Sequence, residues 1–369
     1  MESLNNQNRE LTAVRIARWL IAGPAQQSDG AHAGAVAGWT GADGGFEYVY
    51  PEITGYFLQW LAWMARNCGS QAAYGARAEA ALLWLGERWL AGGSRPPTRI
   101  YVDPNRQDWR NDALFAFDLA MVLRGIGAAA REGLLAVPGS VVNSVCDALA
   151  QLIAPDGHFD ACHRDGNRAC LPDRWSTRRG PFLAKAAAGI LDASEALPDI
   201  AANLVEAATR SFDAGLDALV LAPHDETHPF LYAIEGFLAR PADNGFAARL
   251  PKIAAHFDAL LDRSNRLGRV PETVPGAGPM RLDIVAQTVR VGLLLEVHRR
   301  DGISRRRELD RLADTLAQYV RSDGALPFSA DGHVVQCNVW TAMFAQQALS
   351  LAAFETRELA RYAASPIIV

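Results

Sequence analysis

Lysine is almost missing from this chain. Of 36 basic residues only Lys185 and Lys252 are lysine, so arginine carries nearly all the positive charge. Arginine forks suit carboxylates, phosphates and buried ion pairs, and a GC-rich genome leaves the same imprint. Cysteine is scarce: five residues, an odd number at scattered spacing, argue against a disulfide scaffold. No apolar run reaches the roughly 18 residues that a membrane-spanning helix needs, so no membrane insertion is expected. The N-terminal Met1-Glu2-Ser3-Leu4-Asn5-Asn6 has no basic stretch, and the short apolar segment 17–23 is interrupted by Arg18. No secretory signal is visible. The chain reads as cytoplasmic, or as periplasmic if a signal has been removed.

A positive charge excess is also missing. The formal net charge is −5, which disfavours a general nucleic-acid binder. There is no G-x-x-x-x-G-K-[ST] loop, no G-x-G-x-x-G fingerprint and no G-x-S-x-G elbow. ATP-dependent transfer, Rossmann dehydrogenation and α/β-hydrolase chemistry have little support, and no cofactor is expected. His158, Cys162, His163 and Cys170 lie close together, but their spacing is no recognised zinc pattern. Asp165-Gly166-Asn167 is too short for a calcium loop. No metal is expected.

What the sequence does have is 369 residues, half of them hydrophobic and 21% charged, enough for a sizeable core. Helical periodicity dominates. It predicts helices near 10–22, 51–66, 72–91, 111–126, 138–153, 180–194, 198–218, 228–239, 245–262, 282–299, 304–321 and 336–353. They are of two kinds. Segments such as 72–91, 203–218 and 304–320 are polar on one face only. Segments 51–66, 111–125, 180–191, 228–238, 282–297 and 337–353 follow long loops rich in Gly, Pro, Asp and aromatics.

The two kinds alternate, and members of the second kind start roughly 45–70 residues apart, a repeat of helical hairpins with variable loops. The loops echo one another in Asp43-Gly44-Gly45-Phe46, Asp156-Gly157-His158-Phe159 and Asp323-Gly324-Ala325-Leu326. Asp-Gly supplies a turn and the next apolar residue plugs the helix layer. Gly268-Arg269-Val270-Pro271 reads as a degraded copy. Six such pairs predict a single all-α domain over 1–369, an (α/α)6 toroid, with an open solenoid as the alternative. The N-terminal helix is expected to pair with the last inner helix, and the loops before the inner helices to line one concave site.

Three segments carry a resemblance. They are Tyr50-Pro51-Glu52-Ile53-Thr54-Gly55-Tyr56, Thr227-His228-Pro229-Phe230-Leu231-Tyr232-Ala233-Ile234-Glu235-Gly236, and Arg281-Leu282-Asp283-Ile284-Val285-Ala286-Gln287 followed by Cys337-Asn338-Val339-Trp340. In order and context the chain resembles α/α-toroid proteins of bacterial surface and capsular polysaccharide clusters. These are related in architecture to toroid polysaccharide lyases, uronate hydrolases and sugar epimerases. The resemblance implies an acidic polysaccharide or oligosaccharide as partner. Cyclase-type catalysis in this fold would need a DxDD-like motif, which is missing.

His228 and Tyr232 share one helix face, and Glu235 continues it. A His–Tyr pair suits β-elimination at a uronic acid, one group removing the C5 proton and the other protonating the leaving oxygen. The resemblance implies the same roles, with Asn, Arg or Gln neutralising the carboxylate. A structural helix with a buried His fits equally. Arg281, Asp283 and Gln287 form a second cluster, in which Arg281 either holds a sugar carboxylate or pairs with Asp283. Asn338 and Trp340 open the last inner helix as hydroxyl ligand and sugar platform, or as packing.

Glu52 and Tyr56 repeat the i, i+4 arrangement on the first inner helix. Trp109 and Asp112 precede the second. Arg174, Trp175, Arg178 and Arg179 form a basic loop before the third. Glu52, Asp112, Asp118, Glu226, Glu235 and Asp283 could all reach a cavity, and any suitable two would support glycoside hydrolysis. The leading expectation is a lyase acting through His228 and Tyr232. Its rivals are a two-carboxylate hydrolase, a non-catalytic polysaccharide-binding or assembly protein and, more weakly, a sugar isomerase. Oligomeric state is left open.

Overall fold

A computed structural model describes residues 2–363 apart from 42, 70, 94, 165–170, 223–224, 244, 274–275, 277 and 332–335. Among the described residues there are thirteen α-helices and three two-stranded ribbons. None of the described helices is long and apolar enough to cross a membrane. Contacts group the chain into two compact units: Ala25–Gly38 with Phe46–Gly215, and Met1–Pro24 with Trp39–Gly45 and Leu216–Ile368.

In the unit that holds residues 46–215, three apolar helices pack side by side: α2 (Pro51–Cys68), α4 (Ala116–Arg131) and α6 (Leu183–Ser194). α2 is buried without a break from Pro51 to Ala65, the signature of a helix surrounded by protein. Its approach to α4 depends on two glycines. A Cβ on Gly125 would sit 2.0 Å from the Gly55 carbonyl oxygen, and one on Gly55 would sit 2.6 Å from that of Met121. α3 (Gln71–Trp84) and α5 (Gly139–Ala150) pack on α2 and α4. α3 runs on as a wider turn at Leu85–Trp89 and a 3-10 turn at Leu90–Gly92, so the expected 72–91 segment is helical throughout with a change of winding.

The other unit repeats the pattern. α8 (Thr227–Ala239), α10 (Leu282–His298) and α12 (Val339–Ala353) are apolar and buried. α9 (Phe246–Leu267) buries Leu250, Ile253, Ala254, Phe257 and Leu261, a stripe at helical spacing. Each such Leu or Phe contributes about 1.5–3 kcal/mol. α11 (Arg306–Gln318) buries Leu309, Ala313 and Leu316 in the same way. α1 (Glu2–Ala22) packs on α12, the pairing expected for the first and last helices. α7 (Ala202–Leu221) contributes to both units.

The buried helices of this unit are joined by charge. Arg290 pairs with Glu235, and its Nη1 donates to Gln347 Oε1 at 3.1 Å, linking α10 to α8 and α12. Glu235 is fully buried, so it ties helices together instead of reaching a cavity.

The three Asp-Gly turns share one geometry. The Asp side chain accepts from the backbone two residues on, at 3.0 Å for Asp43, 3.1 Å for Asp156 and 3.0 Å for Asp323. Each glycine has φ between 80° and 92°. Residues Gly41, Ala154 and Arg321 then donate to the carbonyls of Gly45, His158 and Ala325.

Several boundaries differ from the expected ones: α1 begins at Glu2 and not near residue 10. The 111–126 segment opens with a short 3-10 turn, Trp109–Asp112, and the strand Leu114–Phe115, so α4 begins at Ala116. That strand pairs with Cys162–His163, and cross-strand hydrogen bonding takes the place of the first helical turn. α13 (Thr356–Ala363) was not foreseen, because it lies beyond the last repeat.

Candidate functional site

The unit of α2, α4 and α6 gathers two carboxyls, a phenol and two cations at the N-termini of its apolar helices. Tyr50 precedes α2 in extended conformation and Pro51 occupies the first turn, where its missing N–H costs nothing. Glu52 is then the second helical residue. The ribbon of β2 (Tyr48–Val49) and β3 (Ile100–Tyr101) brings Arg99 over the rings of Tyr48 and Tyr50, at 4.6 Å and 5.2 Å. Asp118 is the third residue of α4. Tyr50 Oη donates to Asp118 Oδ2 at 3.1 Å and also hydrogen-bonds Glu52.

Glu52 is 7% exposed, whereas Asp118 and Tyr50 are half-buried. Glu52 and Asp118 line a narrow pocket of about 10 Å³, with Trp89, Pro97 and Leu119 among its walls. Burial, the largest influence, lifts Glu52 to about 7, against the pull of the Tyr50 hydrogen bond and of the Lys185 and Arg99 cations. Burial and then the Glu52 charge raise Asp118 well above the ordinary carboxylate range. Tyr50 is raised by burial and by the two carboxylates. Lys185, fully buried on α6, places Nζ 4.7 Å from the centre of the Tyr56 ring. Glu52 and Tyr56 thus both belong to this cluster. The sequence included Asp118 among possible carboxylates but gave Tyr50, Arg99 and Lys185 no role at the site.

The other sequence-derived residues of this unit lie in its loops. Trp109 packs edge-on against Phe115 with the Arg110 guanidinium over its face. Asp112 faces Arg164 at 3.9 Å. Trp175 meets Phe182 edge-on at 4.9 Å, and Arg174 is exposed. Arg178 pairs with Asp173 at 2.9 Å, and Arg179 with Asp156 at 2.6 Å and Asp160 at 2.8 Å. The basic loop is therefore largely matched by acids.

The unit of α8, α10 and α12 brings together His228, Tyr232, Arg281, Asp283, Gln287, Asn338 and Trp340. His228 Nδ1 lies 2.6 Å from Gln287 Oε1 and 3.8 Å from Asp283 Oδ2. The Tyr232 ring is 4.3 Å from the imidazole, centre to centre. Burial dominates the imidazole and lowers its pKa to about 4, outweighing the pull of Asp283. His228 is thus neutral at physiological pH. Donation to Gln287 Oε1 fixes the proton on Nδ1 and leaves the basic lone pair on Nε2.

Asp283 accepts from Arg281 Nη2 at 2.7 Å and from Trp340 Nε1 at 3.3 Å. Burial opposes its charge, yet the Arg281 guanidinium holds it below the usual carboxylate value. Arg281 also meets Glu272 at 3.1 Å, so two carboxylates already occupy its fork. Asn338 Oδ1 caps α12 by accepting from the Thr341 N–H at 2.8 Å. The amide nitrogens of Asn338 and Gln287 have no partner among the described residues.

Trp340 forms an aromatic cluster with Trp39 at 5.3 Å and Phe328 at 6.0 Å, and Arg281 stacks over Phe328. Sequence reasoning missed Trp39 and Phe328. They flank the first and third Asp-Gly turns, which was the available signal. Among the described residues no three His, Cys, Asp or Glu side chains converge on a metal position, and Cys170 lies outside those residues.

No family model matches the chain, and no curated protein matches it. Solved structures do. A cellobiose 2-epimerase from Bacillus thermoamylovorans matches with a TM-score of 0.66 at 10% identity, over 95% of this chain and 99% of its own. A D-mannose isomerase matches with a TM-score of 0.65 at 12% identity, over 96% and 97%. An unsaturated glucuronyl hydrolase specific for heparin matches with a TM-score of 0.60 at 12% identity, over 96% and 98%. At such identities the likeness is one of fold, and the fold of this chain is the all-α, α/α-toroid class shared with uronate hydrolases and sugar epimerases.

Proposed function

We propose that the protein is a carbohydrate-processing enzyme and that it hydrolyses a glycosidic bond at Glu52 and Asp118. The observation that carries this reading is the carboxyl pair joined through the Tyr50 hydroxyl. Two carboxyls that share one phenol, one raising the pKa of the other, titrate as a unit and hold a proton to higher pH than isolated groups would. Glycoside hydrolysis needs one such group protonated and the other ionised. The protonated member donates to the leaving glycosidic oxygen. The ionised member activates water or attacks the anomeric carbon, and the water oxygen ends on the sugar. Tyr50 positions both groups. The solved structures of this fold described above are named as sugar enzymes, which supports a carbohydrate substrate. A uronic-acid polymer is the first to test, because Arg99 and Lys185 bring positive charge to the pair. The test is release of reducing ends from a panel of acidic and neutral polysaccharides. Glu52→Gln and Asp118→Asn should each abolish it while the circular dichroism spectrum is retained.

β-Elimination at His228 and Tyr232 is the second reading. It is favoured by the neutral imidazole, oriented by Gln287 and packed at a tilt against the Tyr232 ring. It predicts an unsaturated uronate product, visible by ultraviolet absorbance, which hydrolysis of a saturated polymer does not give.

A further inference from the structure

A cavity of about 470 Å³ opens in the unit of α1 and α12, and none of the residues that line it belongs to the two clusters described above. Its volume falls within the ~300–1,000 Å³ common to small-molecule sites. Two of the three equivalent Asp-Gly turns, those of Asp43 and Asp323, flank it, and the last turn of α1 forms its wall through Arg18 and Trp19. The ribbon of β1 (Trp39–Thr40) and β6 (Cys337–Asn338) separates it from the Trp340 cluster. Thr40 pairs with Cys337 and Trp39 with Asn338. Adjacent strand residues face opposite sides, so Thr40 and Cys337 line the cavity while Trp39 joins the aromatic cluster.

Thr40 supplies the feature that points to a ligand. It is 1% exposed and lines the cavity, and its hydroxyl has no hydrogen-bond partner among the described residues. Buried hydroxyls are ordinarily satisfied, and an unmade bond is costly. Around it stand Arg18, Arg321, Asp43 and Asp323, two cations and two anions. Asp323 is 3.4 Å from Arg321. Asp43 and Asp323 each use Oδ1 to close their own turns, and Oδ2 of Asp323 is the atom that faces Arg321.

The charges of these four side chains sum to zero, so an anion gains no net attraction here. Alternating Arg donors and Asp acceptors instead suit the vicinal hydroxyls of a neutral sugar, with the Trp19 indole offering an apolar surface.

We infer that this cavity is a second saccharide site, binding a neutral sugar unit of the same glycan that the enzyme processes. The inference rests on the carbohydrate reading but not on Glu52 or Asp118. The test is saturation-transfer NMR and equilibrium titration of the full chain with cellobiose, maltose and lactose. A Glu52→Gln background prevents turnover. At least one disaccharide should bind saturably. Arg321→Ala, Asp43→Asn and the mild Thr40→Val should each weaken it tenfold or more, with melting temperatures unchanged. Arg18→Ala and Arg321→Ala in the otherwise wild-type chain should leave cleavage of short oligosaccharides unchanged. Saturable binding that is insensitive to all these substitutions would overturn the site, as would no binding of any of the three sugars. If binding behaves as expected but Glu52→Gln still cleaves, the catalytic assignment fails and this site stands.

Discussion

The Tyr50 hydroxyl donates to Asp118 Oδ2 at 3.1 Å from the residue that precedes the first apolar helix, and so ties the entrance of α2 to that of α4. Glu52, two positions on, hydrogen-bonds the same phenol. Tyr50→Phe removes that bridge and leaves the ring stacked beneath Arg99. The account predicts a fall in kcat of at least tenfold, a smaller change in KM, and a shifted pH profile. Steady-state kinetics on a cleaved polysaccharide checks this.

The pH dependence follows from the direction of the shifts. Hydrolysis needs one carboxyl protonated, and Glu52 is lifted to about 7. Activity should therefore fall as pH rises through about 7, which steady-state kinetics of the wild type across pH 5 to 9 checks. The same shift has a stability consequence. A carboxyl raised in the folded state binds more protons folded than unfolded, so its contribution is fully present below the unfolded value. It is lost as pH rises toward 7. Thermal unfolding of wild type and Glu52→Gln between pH 5 and 8 measures it.

His228 works in the opposite sense. Its folded pKa is lowered to about 4, so the unfolded chain takes up the proton first as the solution is acidified. Stability should be unaffected above the ordinary histidine value and should decline as pH falls from there toward 4. His228→Asn should flatten that decline. Denaturant titrations at pH 7 and pH 5 compare the two.

The buried Arg290–Glu235 pair makes a separate prediction. Glu235→Ala leaves a guanidinium enclosed among α8, α10 and α12 with its carboxylate gone. Breaking such a pair costs about 3–5 kcal/mol. The variant should unfold at much lower denaturant, and the double variant Glu235→Leu with Arg290→Met should recover most of the loss.

Gly125→Ala tests the helix contact beneath the carboxyl pair. The added methyl would collide with the Gly55 carbonyl, which is backbone and cannot turn aside. Overpacking of this kind costs about 1–3 kcal/mol. The expected outcome is a lowered melting temperature together with reduced turnover, because α2 carries Glu52 and α4 carries Asp118.

Much of this was legible in the sequence. The helix alternation and the Asp-Gly repeats were readable because periodicity and turn chemistry are local. The three turns adopt one geometry because each combines an Asp acceptor with a glycine at positive φ. Residues 111–115 misled because their apolar pattern fits a helix, whereas pairing with Cys162–His163 draws them into a strand. Asp283 and Gln287 could be placed together because they lie on one helix face, but His228 was read as part of a separate cluster with Tyr232. Their distance to His228, across 59 residues of chain in the case of Gln287, was not encoded locally. The Glu52–Tyr50–Asp118 bridge was hidden for the same reason: Tyr50 and Asp118 are 68 residues apart. Arg281 could be read as ligand or ion pair, and only the fold brought Glu272 onto it as well.

The most direct measurement is product analysis of one uronic-acid polymer digested by wild type, Glu52→Gln and His228→Asn. The account predicts new reducing ends with no rise in ultraviolet absorbance from wild type, and no cleavage by Glu52→Gln. An absorbing unsaturated product that persists in Glu52→Gln and vanishes in His228→Asn would contradict it and assign the chemistry to the histidine cluster.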